Sequence, residues 1–249
     1  MPPDVLVVYK KNFEEVHDKA LAAVRDTLDE LVSDRGITIS YKARETVSRE
    51  DFVGRDLVII LGGDGTLTSI AHSIDSETPV MGVNSHPQDD DEDGSYGFYM
   101  GSDTKHFAED VRSALDGSGI VNVLPRLQAE IVTTSGKTVL SDPALNDLII
   151  ANTHQYQPSI YRLERRADSD HEDIDTNQRS SGCLFSTFLG QGAWFRHVVN
   201  IEGATFPMDE VNKRYLFALS LIHISEPTRR NAISYDVLCM KKERGGGGG

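Results

Sequence analysis

The sequence predicts an α/β protein in two parts, an N-terminal parallel-sheet domain followed by a β-rich second domain. Three observations carry this prediction. Short β-branched runs alternate with helical periodicity over the first sixty or so residues. An apolar run at residues 57–61 breaks abruptly into a glycine-rich turn. Beyond about residue 120 the apolar spacing changes from helical to alternating.

Residues 5–9 are short and mostly β-branched, which predicts a first strand. Val16, Ala20, Val24, Leu28 and Leu31 then recur every three or four positions and form one apolar helix face, which Gly36 ends. Residues 37–41 alternate as a second strand, and residues 48–51 open a short helical turn. The run Leu57, Val58, Ile59, Ile60, Leu61 is a buried central strand. A β-α-β-(α)-β order of this kind builds a parallel sheet with helices outside, in the Rossmann-like manner. Ligands of such sheets bind beyond the carboxyl ends of the strands. Gly62, Gly63, Asp64, Gly65 and Thr66 lie at that place.

Glycines there tolerate positive φ and let backbone N–H groups approach an anion closely. A carboxylate in their midst repels phosphate unless it binds a metal or takes a proton, so Asp64 suggests an acidic group with a chemical task. A plain strand–helix turn is the other reading, because Gly and Asp are ordinary turn residues. The spacing fits neither a P-loop nor a dinucleotide fingerprint.

Residues 79–84 form a further strand ending at Asn84, whose amide either meets ligand or caps its own turn. Acids at 89–93 follow, without the interleaved glycines and spacing of a calcium loop, and read as a solvated segment. Residues 103–115 form an amphipathic helix, and Asp116, Gly117, Ser118 and Gly119 stop it. Downstream, residues 127–133 and 138–140 pair through a turn at 135–137, and residues 148–151, 159–163 and 184–185 are strands. Residues 165–179 are an exposed loop or an edge hairpin. The expected domains are 1–119 and 120–220.

Two later stretches carry candidate chemistry. Asn146 and Asp147 together offer the oxygens and amide that hold a ribose diol, although an Asn-Asp turn serves as well. Residues 181–194 place small hydroxyl residues and glycines beside a short strand, suited to a ligand face or a packed bend. Cys183 there reads as a buried thiol.

The net charge of −14, from 25 basic and 39 acidic residues, disfavours nonspecific nucleic-acid binding. Two distant cysteines provide neither a disulfide framework nor a metal cluster. No signal-like start or membrane-length apolar run occurs, so a cytoplasmic protein with no membrane partner is expected.

Taken together, Gly62-Gly63-Asp64-Gly65-Thr66, Gly82-Val83-Asn84, Asn146-Asp147 and Ser186-Thr187 with Gly190-Gln191-Gly192-Ala193 resemble, in order, the signatures of the NAD kinase (ATP-NAD kinase) family. The resemblance covers about residues 4 to 219. Asp147 stands where the family has Glu, and Gln191 and Gly192 replace hydroxyl residues. Asn84-Ser85 and Ala193-Trp194 look like the divergent branch that includes mitochondrial forms.

The resemblance implies an NAD kinase-like fold and phosphoryl transfer from ATP to the 2'-hydroxyl of the adenosine ribose of NAD, giving NADP. It implies Asp64 as general base or orienting group, and Gly62, Gly63, Gly65 and Thr66 on the phosphates. Asn84, Asn146, Asp147, Thr187 and Ala193 would border the nucleotides. Mg2+ would bridge the ATP phosphates, with no protein ligand set assigned. It also implies a homodimer or homotetramer.

The first signature is shared with diacylglycerol and sphingosine kinases, so a lipid kinase is one alternative and a catalytically impaired nucleotide-binding homologue another. Residues 221–230 resemble translated sequencing-adapter DNA, and five glycines close the chain. The expectation is a non-native tail at 221–249 and an incomplete β domain, with a genuine final strand at 233–240 as the rival reading.

Overall fold

A computed structural model describes residues 2–11, 15–88, 94–154, 156–165, 174–187, 189–195, 214–219 and 240–241. The acids at 89–93 and most of the expected tail, 220–239 and 242–249, lie outside the described residues. The chain divides into two compact units, Met1–Val123 and Leu124–Gly249.

The first unit is a five-stranded, wholly parallel sheet. Its strands are β1 (Asp4–Tyr9), β2 (Thr38–Ala43), β3 (Leu57–Gly62), β4 (Val80–Asn84) and β5 (Ser102–Asp103), in the order β2-β1-β3-β4-β5. The connecting helices are α1 (Glu15–Arg35), α2 (Arg49–Phe52), α3 (Asp64–Ile70) and α4 (Phe107–Leu115). Ala20, Val24, Leu28 and Leu31 of α1 meet Val5 and Val7 of β1, Leu57, Ile59 and Leu61 of β3, and Phe107 and Val111 of α4 in one buried cluster. Strand alternation sends Leu6, Val8, Val58 and Ile60 to the other face, where they too are fully buried. A sheet covered on both faces explains why β3 is apolar throughout rather than alternating. Gly36, at φ 68°, ends α1 in the left-handed conformation and donates its N–H to Val32 O at 3.0 Å.

Two details depart from expectation. The helix expected from residue 103 starts at Phe107, because the Asp103 carboxylate accepts the N–H groups of Lys105 and His106 at 2.8 and 2.9 Å and holds a turn. The residues just before it add β5, a two-residue parallel strand too short for any periodicity to announce.

The second unit is β-rich and antiparallel. Strands β6 (Glu130–Val132) and β7 (Thr138–Leu140) form a hairpin whose turn places Gly136 at φ 81°. Strand β8 (Asp147–Ile150) pairs with β11 (Cys183–Thr187), which pairs with β12 (Arg214–Leu219), and β13 (Met240–Lys241) completes that sheet. Strands β9 (Ser159–Arg165) and β10 (Ile174–Ser180) form a second hairpin, the edge-hairpin alternative for that stretch. Its polar sequence hid the strand: Arg162 reaches Asp175 across the pair with two hydrogen bonds of 2.7 Å, both side chains exposed. Among the described residues no helix is long and apolar enough to cross a membrane.

Cys183 sits at the start of β11 and is buried, and burial pushes its thiol up to about 12. Thiolate is the reactive form. The peptide carrying Cys183 is therefore expected to resist iodoacetamide at pH 8 in the native protein and to react fully in denaturant. Equal labelling in both states, read by mass spectrometry, would contradict the burial.

Candidate active site

The site of the first unit is built where β3 and β4 end side by side. Gly62 pairs with Asn84 in parallel register, and the Ser85 N–H donates to Gly62 O at 3.0 Å. The two motifs of this unit are therefore neighbours across one strand pair.

The glycine turn acts by close approach and not by unusual dihedral angles. None of Gly62, Gly63 and Gly65 has a positive φ, and Gly63 caps α3 in an extended conformation. A Cβ on Gly62 would run into the Thr66 side chain, which is itself buried beneath it. A Cβ on Gly63 would lie 2.6 Å from Ser95 Oγ. Only Gly65 faces open space, with nothing within 4 Å of an added Cβ. Gly62 and Gly63 are thus small because protein fills the room, whereas Gly65 leaves room free.

Asp64 is the first residue of α3. Its carboxylate accepts the Phe98 N–H at 2.9 Å on Oδ2 and the Tyr99 N–H at 2.8 Å on Oδ1, and its own N–H points at Ser95 Oγ at 3.4 Å. An ionised carboxylate has about four acceptor positions. Two N–H groups leave each oxygen one lone pair with which to accept a hydroxyl proton. Asn84 is buried and occupied on both sides of its amide: Nδ2 donates to Ser95 O and Oδ1 accepts the His86 N–H, each at 3.1 Å. Asn84 therefore closes the loop onto the strand end, and Gly97, at φ 72°, lies where a Cβ would meet that amide. The sequence could not foresee these partners, because Phe98 and Tyr99 lie 34 and 35 positions beyond Asp64.

In the second unit three separated stretches converge. The Thr187 N–H and the Ser186 hydroxyl donate to Asn146 O at 2.7 and 3.2 Å. Thr187 Oγ1 donates to Leu145 O at 2.7 Å and accepts the Gly190 N–H at 3.1 Å. A Cβ on Gly190 would clash with Ser186 and sit 2.6 Å from Asn146 O. The Ala193 N–H donates back to Gly190 O at 2.8 Å, closing the helical turn that follows β11. Thr187 is buried and thus works as a brace for Asn146 and the 189–193 turn. Asp147 lies opposite Ser186 in the β8–β11 register. Its Oδ1 is buried and has no hydrogen-bond partner among the described residues. Burial pushes the Asp147 carboxyl above the ordinary carboxylate range, and the Ser186 hydroxyl and Trp194 backbone offset that only in part. A buried carboxylate oxygen without a partner costs stability and calls for an explanation.

Arg162, a candidate by charge alone, is spent in the surface ion pair with Asp175 and also meets Glu164 at 2.9 Å. Among the described residues no group of three or more His, Cys, Asp or Glu side chains is placed to hold a metal ion.

Residues 7–113 match the family profile described as the ATP-NAD kinase N-terminal domain. The chain is 28% identical over 171 residues to a probable NADH kinase of Oryza sativa, covering 65% of this chain and 50% of that protein. It is 29% identical over 194 residues to an NAD kinase of Halorhodospira halophila, covering 71% of this chain and 58% of that one. The chain thus spans about half the length of the curated relatives it matches. Its fold matches the crystal structure of yeast NADH kinase complexed with NADH at a TM-score of 0.62, with 16% identity over 96% of this chain and 66% of that one. It matches an Archaeoglobus fulgidus NAD kinase in complex with ATP at 0.59, with 16% identity over 87% and 71%. Both structural likenesses establish the NAD kinase-like arrangement of a parallel-sheet domain followed by a β-rich domain. The profile match thus covers most of the first unit, and the structural matches show the fold.

Proposed function

We propose that the chain is a phosphotransferase that moves the terminal phosphoryl group of ATP to the 2'-hydroxyl of the adenosine ribose of NAD, giving NADP. The observation that carries the reading is Asp64, held at the carboxyl end of β3 beside the end of β4, within the stretch that matches the family profile. A ribose hydroxyl is a poor acid, and phosphoryl transfer asks chiefly for positioning and charge stabilisation. Asp64, fixed by two backbone N–H groups, is pre-oriented to accept the hydroxyl proton as the new O–P bond forms. Gly65 leaves space against the backbone for a phosphate group. In the second unit, Asn146 and Asp147 would hold the NAD ribose, with Asp147 Oδ1 gaining the donor it lacks.

Magnesium would accompany the ATP phosphates, neutralise their charge, and keep most of its ligands as phosphate oxygen and water. The relatives include NADH kinases, so the reduced dinucleotide is a second acceptor to test. A non-catalytic reading is favoured by one observation: Asp64, Asn84 and Thr187 all have internal structural partners.

Three measurements test these readings. Asp64→Asn is expected to lower NADP formation by about 10²-fold or more while ATP still binds. Turnover equal to that of the parent would remove Asp64 from the chemistry, and no turnover in either protein would favour the binding-only homologue.

Gly62→Ala and Gly65→Ala should separate architecture from ligand approach. The first is expected to lower the unfolding midpoint by crowding Thr66. The second is expected to keep or raise it, by up to about 1 kcal/mol of helix propensity, yet weaken ATP binding. A Gly65→Ala protein that binds ATP normally would mean the open space is not used.

Asp147 gives a pH signature. With its carboxyl raised in the folded state, the native protein binds more protons than the unfolded chain between the ordinary and the raised value. Stability therefore falls as pH rises through that window, and the loss persists above it. Asp147→Asn is expected to raise the unfolding midpoint at pH 7, with the gain shrinking as pH falls through the window between the raised and the ordinary value and vanishing below it, and to weaken NAD binding. A midpoint that is lowered at pH 7 would show that the ionised carboxylate stabilises the fold.

A further inference from the structure

The strand order β2-β1-β3 means that the chain leaves β1 to one side and returns on the other at β3. That reversal makes a crevice beyond the carboxyl ends of β1 and β3, the place where open α/β sheets take ligands. A cavity is present there, and its lining includes Lys10, Lys11, His17, Asp18 and Ser85. Its lining includes Leu61 and Ser85, the residues that flank the two signature motifs of the unit. Lys10 donates its backbone N–H to Leu61 O at 3.3 Å, immediately before Gly62, and Ser85 follows Asn84 and donates its N–H to Gly62 O. His17, on α1, is joined to the same corner through Nδ1 and Ser85 Oγ at 2.7 Å.

The charge of the cavity is opposite to that of the chain. The whole sequence carries −14, yet the residues lining this cavity include two lysines against one acid, the exposed Asp18. Neither lysine is paired with a carboxylate among the described residues. Lys10 is half-buried and Lys11 exposed, and cations in a concave site focus the local field and attract anions. Of the two arginines that suit the transferring group by charge alone, Arg126 and Arg162, the second is an exposed hairpin residue paired with acids.

We infer that Lys10 and Lys11 form a phosphate-binding site at the β1–β3 crevice that holds the phosphate chain of the nucleoside triphosphate donor beside the glycine turn. The inference rests on the phosphotransferase reading for the identity of the anion. The cationic site itself rests only on the crevice and its lysines. Lysine is suited to this task as a compact, strongly hydrated point charge with three donors on a flexible stem.

The experiment measures binding, without turnover, to the full chain by calorimetry, using inorganic tripolyphosphate, ATP and NAD as separate probes. Lys10→Gln/Lys11→Gln is expected to weaken tripolyphosphate and ATP binding by about ten-fold or more, leave NAD binding within about two-fold, and flatten the salt dependence of ATP binding. Lys10→Arg/Lys11→Arg is expected to keep most of the affinity for both polyphosphates. Unchanged ATP and tripolyphosphate binding in the glutamine variant would overturn the site, as would an equal loss in the arginine variant or a matching loss of NAD binding. The two readings fail separately. Lysine-dependent tripolyphosphate binding without NADP formation would sink the kinase reading and leave the site standing, whereas NADP formation with lysine-independent ATP binding would do the reverse.

Discussion

The parallel register that sets Gly62 beside Asn84 is the constraint on which the rest of the first unit depends. It brings two motifs more than fifteen residues apart into one strand pair, and the hydrogen bond from Ser85 to Gly62 O carries that pairing one residue past the strand ends. A slip of one residue would turn β4 over and move Val83 out of the core cluster. The apolar burial of β3 on both faces makes such a slip costly. The energy of the hydrophobic core is thus what holds a polar turn in place, since the turn has little apolar surface of its own.

Within each unit, polar side chains perform structural tasks. Asp64 anchors the 98–99 backbone, Asn84 closes the 84–97 loop, and Thr187 braces Asn146 in the second unit. Fixed side chains of this kind lose little entropy when a ligand arrives, which is the physical advantage of a preorganised site. Asp147 is the exception. One of its oxygens is buried without a partner and its carboxyl is pushed toward the neutral form, so it costs stability where the other three residues add to it.

Substitution of these residues therefore has two components, lost chemistry and lost anchoring. At Asp64 the amide of an asparagine would turn a donor toward one of two backbone N–H groups, and an unsatisfied group of that sort costs about 1–3 kcal/mol. Readouts of binding and of unfolding are both needed to apportion the effect, because activity alone adds the two components together.

Local pattern by itself determined the main elements of the fold. The five apolar positions of α1, the all-apolar β3 and the glycine after each of α1 and α4 follow from spacing and from backbone preference, which act within a few residues. The motifs were legible as well, since glycine turns and amide–carboxylate pairs are contiguous. Only the tertiary structure decided what those residues touch. The two N–H groups on Asp64, the Thr66 side chain under Gly62, the missing partner of Asp147 and the nearness of Lys10 to the glycine turn all join residues distant in sequence or depend on depth of burial. Sequence spacing carries no record of either, because long-range contacts and desolvation exist only once the sheet has assembled.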